Sequence, residues 1–325
     1  MAGLSPEVDV HHHIVPDSYK QVLSGVDLSA KIKFPSWSPK ASLAFVNDHH
    51  IDTAILSLSA PGAVIAGSRD DVRALVRKWN DYASELCSAH PNRFGFFAAL
   101  PGLEDLEGAI SEIHYIFRQL KADGVTLSTS YAGQYLLAKE FEPVWAALDE
   151  ARAVVHVHPN HSFAAAFTTP FLPQPLVDYP HETTWTASDL VLSGQKRQFP
   201  NCKVILSHAG GMLPYLADQI SVLATTICGG TLDDEDSSRG SEKVMADLKS
   251  SYFDLALGGS STVLDLLINW APRDHVLYGS DFPFAGGAGE PFEATLASYP
   301  TEMCYQANAL DLFPRLHLHD QRLEQ

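Results

Sequence analysis

The chain has 325 residues, and 22 Lys and Arg against 39 Asp and Glu give a formal net charge of −17. This acidity argues against a nucleic-acid backbone or an anionic membrane as a partner, because both require clustered Lys and Arg. The N-terminal residues lack the basic and apolar regions of a signal peptide, and no segment reaches the roughly 20 apolar residues of a membrane span. The four cysteines are widely spaced without a CxxC pair, which favours reduced thiols and a cytoplasmic location.

Short β-rich runs alternate with longer amphipathic segments along the chain. The predicted strands are 7–11, 52–58, 93–100, 123–128, 153–158, 202–208, 251–256 and 274–280. The predicted helices are 70–90, 106–120, 140–151, 186–195, 213–224 and 262–270. This alternation predicts an α/β fold with a parallel sheet covered by helices, and the strand count predicts a closed (β/α)8 TIM barrel. A doubly wound open sheet is the alternative, but such a sheet usually has a Gly-rich turn after its first strand.

We interpret residues 1–325 as one domain with two features added to the barrel. These features are a long loop over 160–185, after the fifth strand, and a C-terminal helical extension over about 290–325. Loops that follow barrel strands lie on the catalytic face, so loop 160–185 is either a lid or substrate wall, or it packs on the barrel rim. The acidic stretch 232–236 and the four residues after it are predicted to form a solvated loop.

Imidazole and carboxylate side chains recur at the ends of the predicted strands. They are His11, His13, His158, His208 and Asp281. The carboxyl ends of barrel strands converge on one face, and residues two apart on a strand point the same way, so His12 should point away from its two neighbours. Neutral imidazole and carboxylate are suitable ligands for Zn²⁺, Mn²⁺ or a similar divalent ion. The pattern therefore predicts a mononuclear metal site with positions open for water or substrate.

Four motifs at these positions resemble those of a known enzyme family. The motifs are Asp9-Val10-His11-His12-His13-Ile14-Val15-Pro16, Val157-His158-Pro159, Ser207-His208-Ala209-Gly210-Gly211 and Gly279-Ser280-Asp281-Phe282-Pro283. The first resembles the opening HxH motif of the amidohydrolase superfamily. The whole set resembles the amidohydrolase-related, metal-dependent decarboxylases, which act on aminocarboxymuconate semialdehyde, γ-resorcylate or 6-methylsalicylate. The resemblance extends from about residue 8 to residue 313 and implies the same (β/α)8 barrel.

The resemblance also implies a ligand set. His11, His13, His158 and Asp281 match the metal ligands of the family, and His208 matches its active-site histidine beside the metal. Dinuclear amidohydrolases typically have a carboxylated Lys at the end of the fourth strand, where this chain has no Lys. The expected cofactor is therefore one divalent ion, Zn²⁺ or Mn²⁺, with no organic cofactor. A homodimer or homotetramer is expected from the relatives in the group.

The implied reaction is the non-oxidative decarboxylation of a small aromatic carboxylic acid. The substrate carboxylate and an ortho hydroxyl can bind the metal together, which fixes their geometry. Asp281 is the candidate for carrying a proton to the ring carbon, and His208 for orienting Asp281 or shuttling the proton. The candidates for contacts with the substrate are Arg69, Phe171, Trp185, Phe282 and Phe284. For Arg69 a surface position is the alternative, and for the aromatic residues ordinary packing on the barrel rim.

The choice among substrates depends on what the sequence lacks. It has no clear set of basic residues for a second carboxylate, which favours a monocarboxylic hydroxybenzoate. We therefore expect 6-methylsalicylate, decarboxylated to m-cresol and CO2, with γ-resorcylate or aminocarboxymuconate semialdehyde as alternatives. A further alternative is metal-dependent hydrolysis of a lactone or amide, in which a metal-bound water attacks the substrate. A barrel that only binds or scaffolds is disfavoured by the intact ligand set.

Overall fold

The computed structural model describes residues 8–24, 34–63, 67–160, 172, 174–227, 237–284 and 305–316. Within them, eight parallel strands follow one another around a single sheet in chain order. These strands are β1 (Val8–Ile14), β2 (Thr53–Leu58), β3 (Phe94–Ala98), β4 (Gly124–Ser128), β5 (Val154–His158), β6 (Lys203–Leu206), β7 (Tyr252–Asp254) and β8 (Val276–Leu277). Each overlaps one of the eight predicted strands.

The two ends of the sheet meet, which closes the barrel. The backbone N–H of Val10 donates to the carbonyl oxygen of Tyr278 at 3.0 Å, and the N–H of His13 donates to that of Phe282 at 2.7 Å. These bonds join β1 to β8 and to the segment that follows it. The prediction of a closed (β/α)8 barrel is therefore confirmed, and the open-sheet alternative is not.

Helices surround the sheet and bury their apolar faces against it. They are α1 (Asp17–Ser24), α2 (Pro39–Asp48), α3 (Arg69–Ala89), α4 (Leu106–Tyr115), α5 (Glu142–Glu150), α6 (Gln174–Leu192), α7 (Gln195–Gln198), α8 (Leu213–Ile227), α9 (Ser237–Lys249), α10 (Ser261–Trp270) and α11 (Tyr305–Leu312). Five of the six predicted helices match observed ones closely, and α4 continues into a π-helical turn at Ile116–Leu120. None of the described helices is both long enough and apolar enough to cross a bilayer.

Two predicted loops contain helices. The prediction of a loop over 160–185 is wrong for its second half, because α6 already begins at Gln174. Pro180 lies inside this helix, and buried Glu182 and Thr183 anchor the following turns. The predicted solvated loop after residue 236 is wrong in the same way, since α9 begins at Ser237. Residues 161–171 and 228–236 lie outside the described part of the chain.

The C-terminal helix α11 covers the floor of the barrel, where the strands begin. Phe313 is buried there with Val8 and Phe97. The Asn308 side chain donates to the carbonyl oxygen of Val276 at 2.8 Å, which ties α11 to β8. The predicted extension over about 290–325 is thus helical at 305–312, and residues 285–304 and 317–325 lie outside the described part. Because the floor is closed, the opposite face is the one available for chemistry.

Candidate active site

The four residues predicted as metal ligands lie together at the carboxyl ends of the strands. His11, His13, His158 and Asp281 each place a nitrogen or oxygen within 4.8 Å of the others. The Nε2 atoms of His11 and His13 are 3.0 Å apart, and Oδ1 of Asp281 lies 3.4 Å and 3.2 Å from them. All four side chains are buried. A tight group of donors therefore occupies the centre of the catalytic face.

A register shift in β1 brings two histidines of this group into the barrel. The pairing of β1 with β2 is irregular between Asp9 and His12. Val10 packs inside the barrel near its floor, and after the irregularity His11 and His13 also face inward. His12 points to the opposite side. The alternation predicted for the three histidines is therefore present, although the irregularity that permits it was not predicted.

Hydrogen bonds orient each imidazole. Nδ1 of His11 lies 3.0 Å from Oδ2 of Asp254, Nδ1 of His13 lies 3.1 Å from Oγ of Ser57, and Nδ1 of His158 lies 2.9 Å from a backbone carbonyl oxygen. A neutral His11 or His158 that donates from Nδ1 carries a lone pair on Nε2. Lone pairs gathered around a carboxylate repel one another unless a cation lies among them. This donor set fits a divalent metal ion.

The electrostatics of the cluster also favour a cation. Burial opposes a charge on His11, but Asp254 and Asp281 outweigh burial and raise the pKa of His11 to about 10. Burial also opposes a charge on Asp281, yet hydrogen bonds with His11 and His13 hold its pKa well below its usual value. Burial and the neighbouring histidines hold the pKa of His158 well below its usual value. Two buried carboxylates thus attract positive charge to the place where the donors meet.

Asp254, at the end of β7, is a site residue that the sequence analysis missed. Its Oδ2 lies 3.0 Å from His11 Nδ1 and 3.2 Å from His156 Nε2, and its Oδ1 accepts the backbone N–H of His208 and of Ala256, each at 3.1 Å. The carboxylate is fully buried. Its position at a strand end is the signal that would have found it, since the same rule singled out the other four strands.

His208 lies beside the cluster, as predicted. Its ring centroid is 5.0 Å from that of His11 and 5.5 Å from that of His158. Burial lowers the pKa of His208 to about 4, so its ring is neutral near pH 7. Within the described part of the chain its Nδ1 has no hydrogen-bond partner. His208 therefore offers the site a neutral imidazole with a nitrogen still available.

The aromatic residues predicted as substrate walls are not all brought to the cluster. Phe284 is partly exposed, and its ring centroid lies 5.5 Å from that of His13. Phe282 stacks on His12 at 4.7 Å, on the side that faces away from the cluster. Phe284 therefore borders the site, and the structure does not bring Phe282 into it.

The other predicted contacts lie farther out or are not described. Trp185 is half exposed on α6 and stacks on Tyr135 at 5.3 Å. Arg69 is exposed at the first residue of α3, which is the surface position that the sequence left open as the alternative. Phe171 lies outside the described residues.

A cavity opens beside His158, between the carboxyl ends of β2, β3 and β4. Its enclosed space is about 20 Å³, room for about one water molecule, and the volume reaches about 390 Å³ only with the open space at its mouth. Its lining consists of Leu58, Ala60, Gly62, Ala63, Ala99, Leu100, Thr126, Ser128, Tyr131 and His158. Thr126 and Ser128 pair in register with His156 and His158, and Thr126 Oγ1 is buried with no partner among the described residues. The mouth of this cavity therefore places apolar side chains and a few hydroxyls next to His158, a combination that suits contact with a small ring.

The family model for amidohydrolases matches residues 8–302. Decarboxylase yanB of Aspergillus niger is 42% identical, over 86% of this chain and 77% of that protein. The 6-methylsalicylic acid decarboxylase acuB of Aspergillus aculeatus is 38% identical, over 95% of this chain and 96% of that protein.

A solved structure shares the fold. This is 5-carboxyvanillate decarboxylase of Novosphingobium aromaticivorans, complexed with manganese and 4-hydroxy-3-methoxy-5-nitrobenzoic acid. Its TM-score is 0.81 at 19% identity, over 95% of this chain and 96% of that one. This structural similarity supports the barrel architecture alone. The assignment to a family and to an activity rests on the sequence similarity. The chain belongs to the amidohydrolase family, and the prediction that it is a decarboxylase is confirmed.

Proposed function

We propose that the protein removes CO2 from a 2-hydroxybenzoate, with 6-methylsalicylate converted to m-cresol as the first candidate. The observation that carries this proposal is the position of the donor cluster directly beside a cavity with an apolar wall, joined at His158. A ring at the mouth of the cavity would present its carboxylate and ortho hydroxyl to the cluster. The similarity to 6-methylsalicylic acid decarboxylase supports the same substrate.

His11, His13, His158 and Asp281 would hold one divalent ion, Mn²⁺ or Zn²⁺. The manganese in the 5-carboxyvanillate decarboxylase supports Mn²⁺ as the first candidate. When bound, the ion supplies positive charge that orients the substrate carboxylate and stabilises developing negative charge. The interior-facing residues at the end of β4, Thr126 and Ser128, are weak ligands, which supports a single ion.

In the proposed reaction a proton is added to the ring carbon that bears the carboxylate, and the carbon–carbon bond then breaks to release CO2. Asp281 would carry this proton. The pKa of its carboxyl is low in the free site, but an approaching substrate carboxylate disfavours the charged form and raises it. His208 is neutral near pH 7 and has a nitrogen available, so it would either orient Asp281 or shuttle the proton, taking one from water at one ring nitrogen while the other gives one to Asp281.

Decarboxylation in D2O tests this assignment. Wild-type protein should place deuterium at C2 of m-cresol, the carbon that loses the carboxylate. Asp281→Asn should lower kcat by about 10²–10⁴-fold, the usual contribution of a positioned acid. Asp311→Asn, an exposed carboxylate on α11 at the floor, is the matched control and should keep full activity. An active Asp281→Asn variant that still incorporates deuterium would exclude the proton role.

A second candidate substrate is γ-resorcylate, which has a hydroxyl in place of the methyl. The unpartnered hydroxyl of Thr126 favours this candidate, because a second ring hydroxyl would satisfy it. A panel of 6-methylsalicylate, 2,6-dihydroxybenzoate and salicylate ranks the substrates by kcat/KM. Release of an acid from a lactone, without any CO2 from the panel, would instead support the hydrolase alternative.

We further propose a homodimer or homotetramer in the cytoplasm. Exposed apolar side chains on α6 and α8, among them Leu176 and Tyr215, support an interface between subunits. Cys87 and Cys202 are free thiols, which supports a reducing compartment. Sedimentation of the purified protein at micromolar concentration checks the oligomeric state, and a monomer would contradict it.

A further inference from the structure

His12 stands at the centre of a buried hydrogen-bonded chain behind the site. Its Nδ1 lies 3.0 Å from Oδ2 of Asp9, and its Nε2 lies 2.9 Å from Oγ of Ser42 on α2. The indole N–H of Trp37 donates to the same Oγ at 3.0 Å. His12, Asp9 and Ser42 are fully buried. None of these groups is used in the proposed reaction, so this hydrogen-bond network needs a different explanation.

With a neutral His12 ring, the donor and the acceptor of each hydrogen bond in this network can be assigned in only one way. Trp37 can only donate, so Ser42 accepts from it and uses its own hydrogen to donate to Nε2 of His12. Nδ1 of His12 then carries the hydrogen that is donated to the carboxylate of Asp9. Every donor and acceptor is satisfied, which is the condition under which a buried polar network makes a structure rigid.

Asp9 extends this hydrogen-bond network to the turn that contains Asp281. The backbone N–H of Ser280 donates to Asp9 Oδ1 at 3.0 Å, and the Ser280 hydroxyl donates to Oδ2 at 2.6 Å. The next contact comes from the other side of the turn, where Phe282 stacks on the His12 ring at 4.7 Å. His12 therefore contacts both sequence neighbours of Asp281: it reaches Ser280 through Asp9, and it stacks directly on Phe282.

The backbone at Asp281 requires such support. Its φ of 55° lies in the left-handed region, which costs about 1 kcal/mol or more for a residue with a side chain. Such a conformation persists only when its surroundings impose it. Two backbone hydrogen bonds join the turn to β1, from the N–H of Asp281 to the carbonyl oxygen of His11 and from the N–H of His13 to that of Phe282. The His12 network adds side-chain contacts with Ser280 and Phe282 on either side of Asp281.

We infer that His12 is a positioning residue, which fixes the turn at Asp281 so that its carboxylate points at His11 and His13. The inference rests on the proposed role of Asp281 as a metal ligand. It assigns a task to the middle histidine of the HxH motif, whose side chain never reaches the metal site. Partners that orient metal ligands typically contribute 10–100-fold to metal affinity.

The test measures the dissociation constant for Mn²⁺ in each purified metal-free variant, by equilibrium dialysis with electron paramagnetic resonance of the free ion. His12→Phe keeps the ring and its stacking but removes both hydrogen bonds, and it should weaken Mn²⁺ binding at least tenfold. His12→Asn restores an amide donor near Asp9 and should recover part of the loss. Ser280→Ala removes the 2.6 Å bond while keeping the backbone, and it keeps the test open if His12→Phe does not fold.

A matched control separates positioning from a general loss of stability. Leu264→Ala on α10 removes fully buried apolar atoms from a helix that contributes no residue to this network, so it should lower the thermal midpoint and leave Mn²⁺ affinity unchanged. The inference is overturned if folded His12→Phe and Ser280→Ala bind Mn²⁺ within twofold of the wild type. It is also overturned if Leu264→Ala loses as much affinity as they do.

The same experiment keeps the two proposals apart. A wild-type protein that binds Mn²⁺ but decarboxylates none of the panel acids refutes the proposed function and leaves the role of His12 measurable. A wild-type protein that binds neither Mn²⁺ nor Zn²⁺ refutes both.

Discussion

Replacing Asp254 by Asn isolates the contribution of one buried carboxylate to the metal site. Each oxygen of Asp254 accepts two hydrogen bonds, from His11 and His156 on one side and from two backbone N–H groups on the other. Either orientation of an Asn amide therefore places its NH2 against two donors. The backbone groups cannot change, so the NH2 turns to the histidines. His11 must then accept at Nδ1, which moves its hydrogen to Nε2, the nitrogen that faces His13 and Asp281.

The expected magnitude follows from this change of tautomer. A hydrogen on Nε2 blocks a metal ligand, and the loss of an orienting partner typically costs 10–100-fold in metal affinity, or about 1.4–2.8 kcal/mol. The orienting bond has an ordinary length of 3.0 Å, and both partners are fully buried. We therefore expect Asp254→Asn to lie at the upper end of this range.

Competition between Mn²⁺ and a chelator of known affinity measures the effect. Circular dichroism verifies that the variant is folded, and Asp274→Asn, an exposed carboxylate at the other end of the barrel, is the matched control. If folded Asp254→Asn binds Mn²⁺ within twofold of the wild type, the tautomer argument is incorrect.

Two further predictions concern the cavity and the floor. Ala63→Leu should fill the cavity beside His158 and lower kcat/KM for 6-methylsalicylate at least tenfold without changing Mn²⁺ affinity. The control, Ala89→Leu on the exposed end of α3, should change neither quantity. Equal kcat/KM in the two variants would refute the cavity as the ring site. Gly95→Ala should lower the thermal midpoint by at least about 3 °C, because the added Cβ would lie 2.7 Å from Ile55 and overlap the Arg315–Asp123 ion pair. An unchanged midpoint in a thermal scan would contradict this prediction.

Much of the fold and of the central cluster could be predicted because both depend on periodicity. Strand and helix spacing determines the order of the elements, and the carboxyl ends of parallel strands must converge. His11, His13, His158, His208 and Asp281 follow from that rule together with ligand chemistry, and the resemblance to the family separates the four implied ligands from His208. The start of α6 was not predicted, and Pro180 lies inside this helix, where tertiary packing overrides the local preference of proline for a break.

Side-chain direction after a strand ends was harder to predict. Asp281 and Phe282 are adjacent, and the left-handed turn at Asp281 sends one toward the cluster and the other toward His12. A loop position alone therefore could not decide whether Phe282 faces the substrate. Asp254 was missed because the predicted site contained only residues suited to bind the metal or the substrate directly. Asp254 instead contacts a predicted ligand, His11.

The barrel separates the requirements of stability from those of chemistry. At the floor, α11 and the turn after it cover the strand ends with apolar packing and with the Arg315–Asp123 ion pair. At the catalytic face, His208 and Asp281 both have positive φ, and each is held by a carboxylate that is not itself a proposed ligand. Asp254 accepts the backbone N–H of His208, and Asp9 accepts that of Ser280, next to Asp281. Two buried aspartates thus hold the positive-φ backbone that aims the two proposed proton-handling residues, so carboxylates lie beneath a site where an anionic substrate is expected to bind.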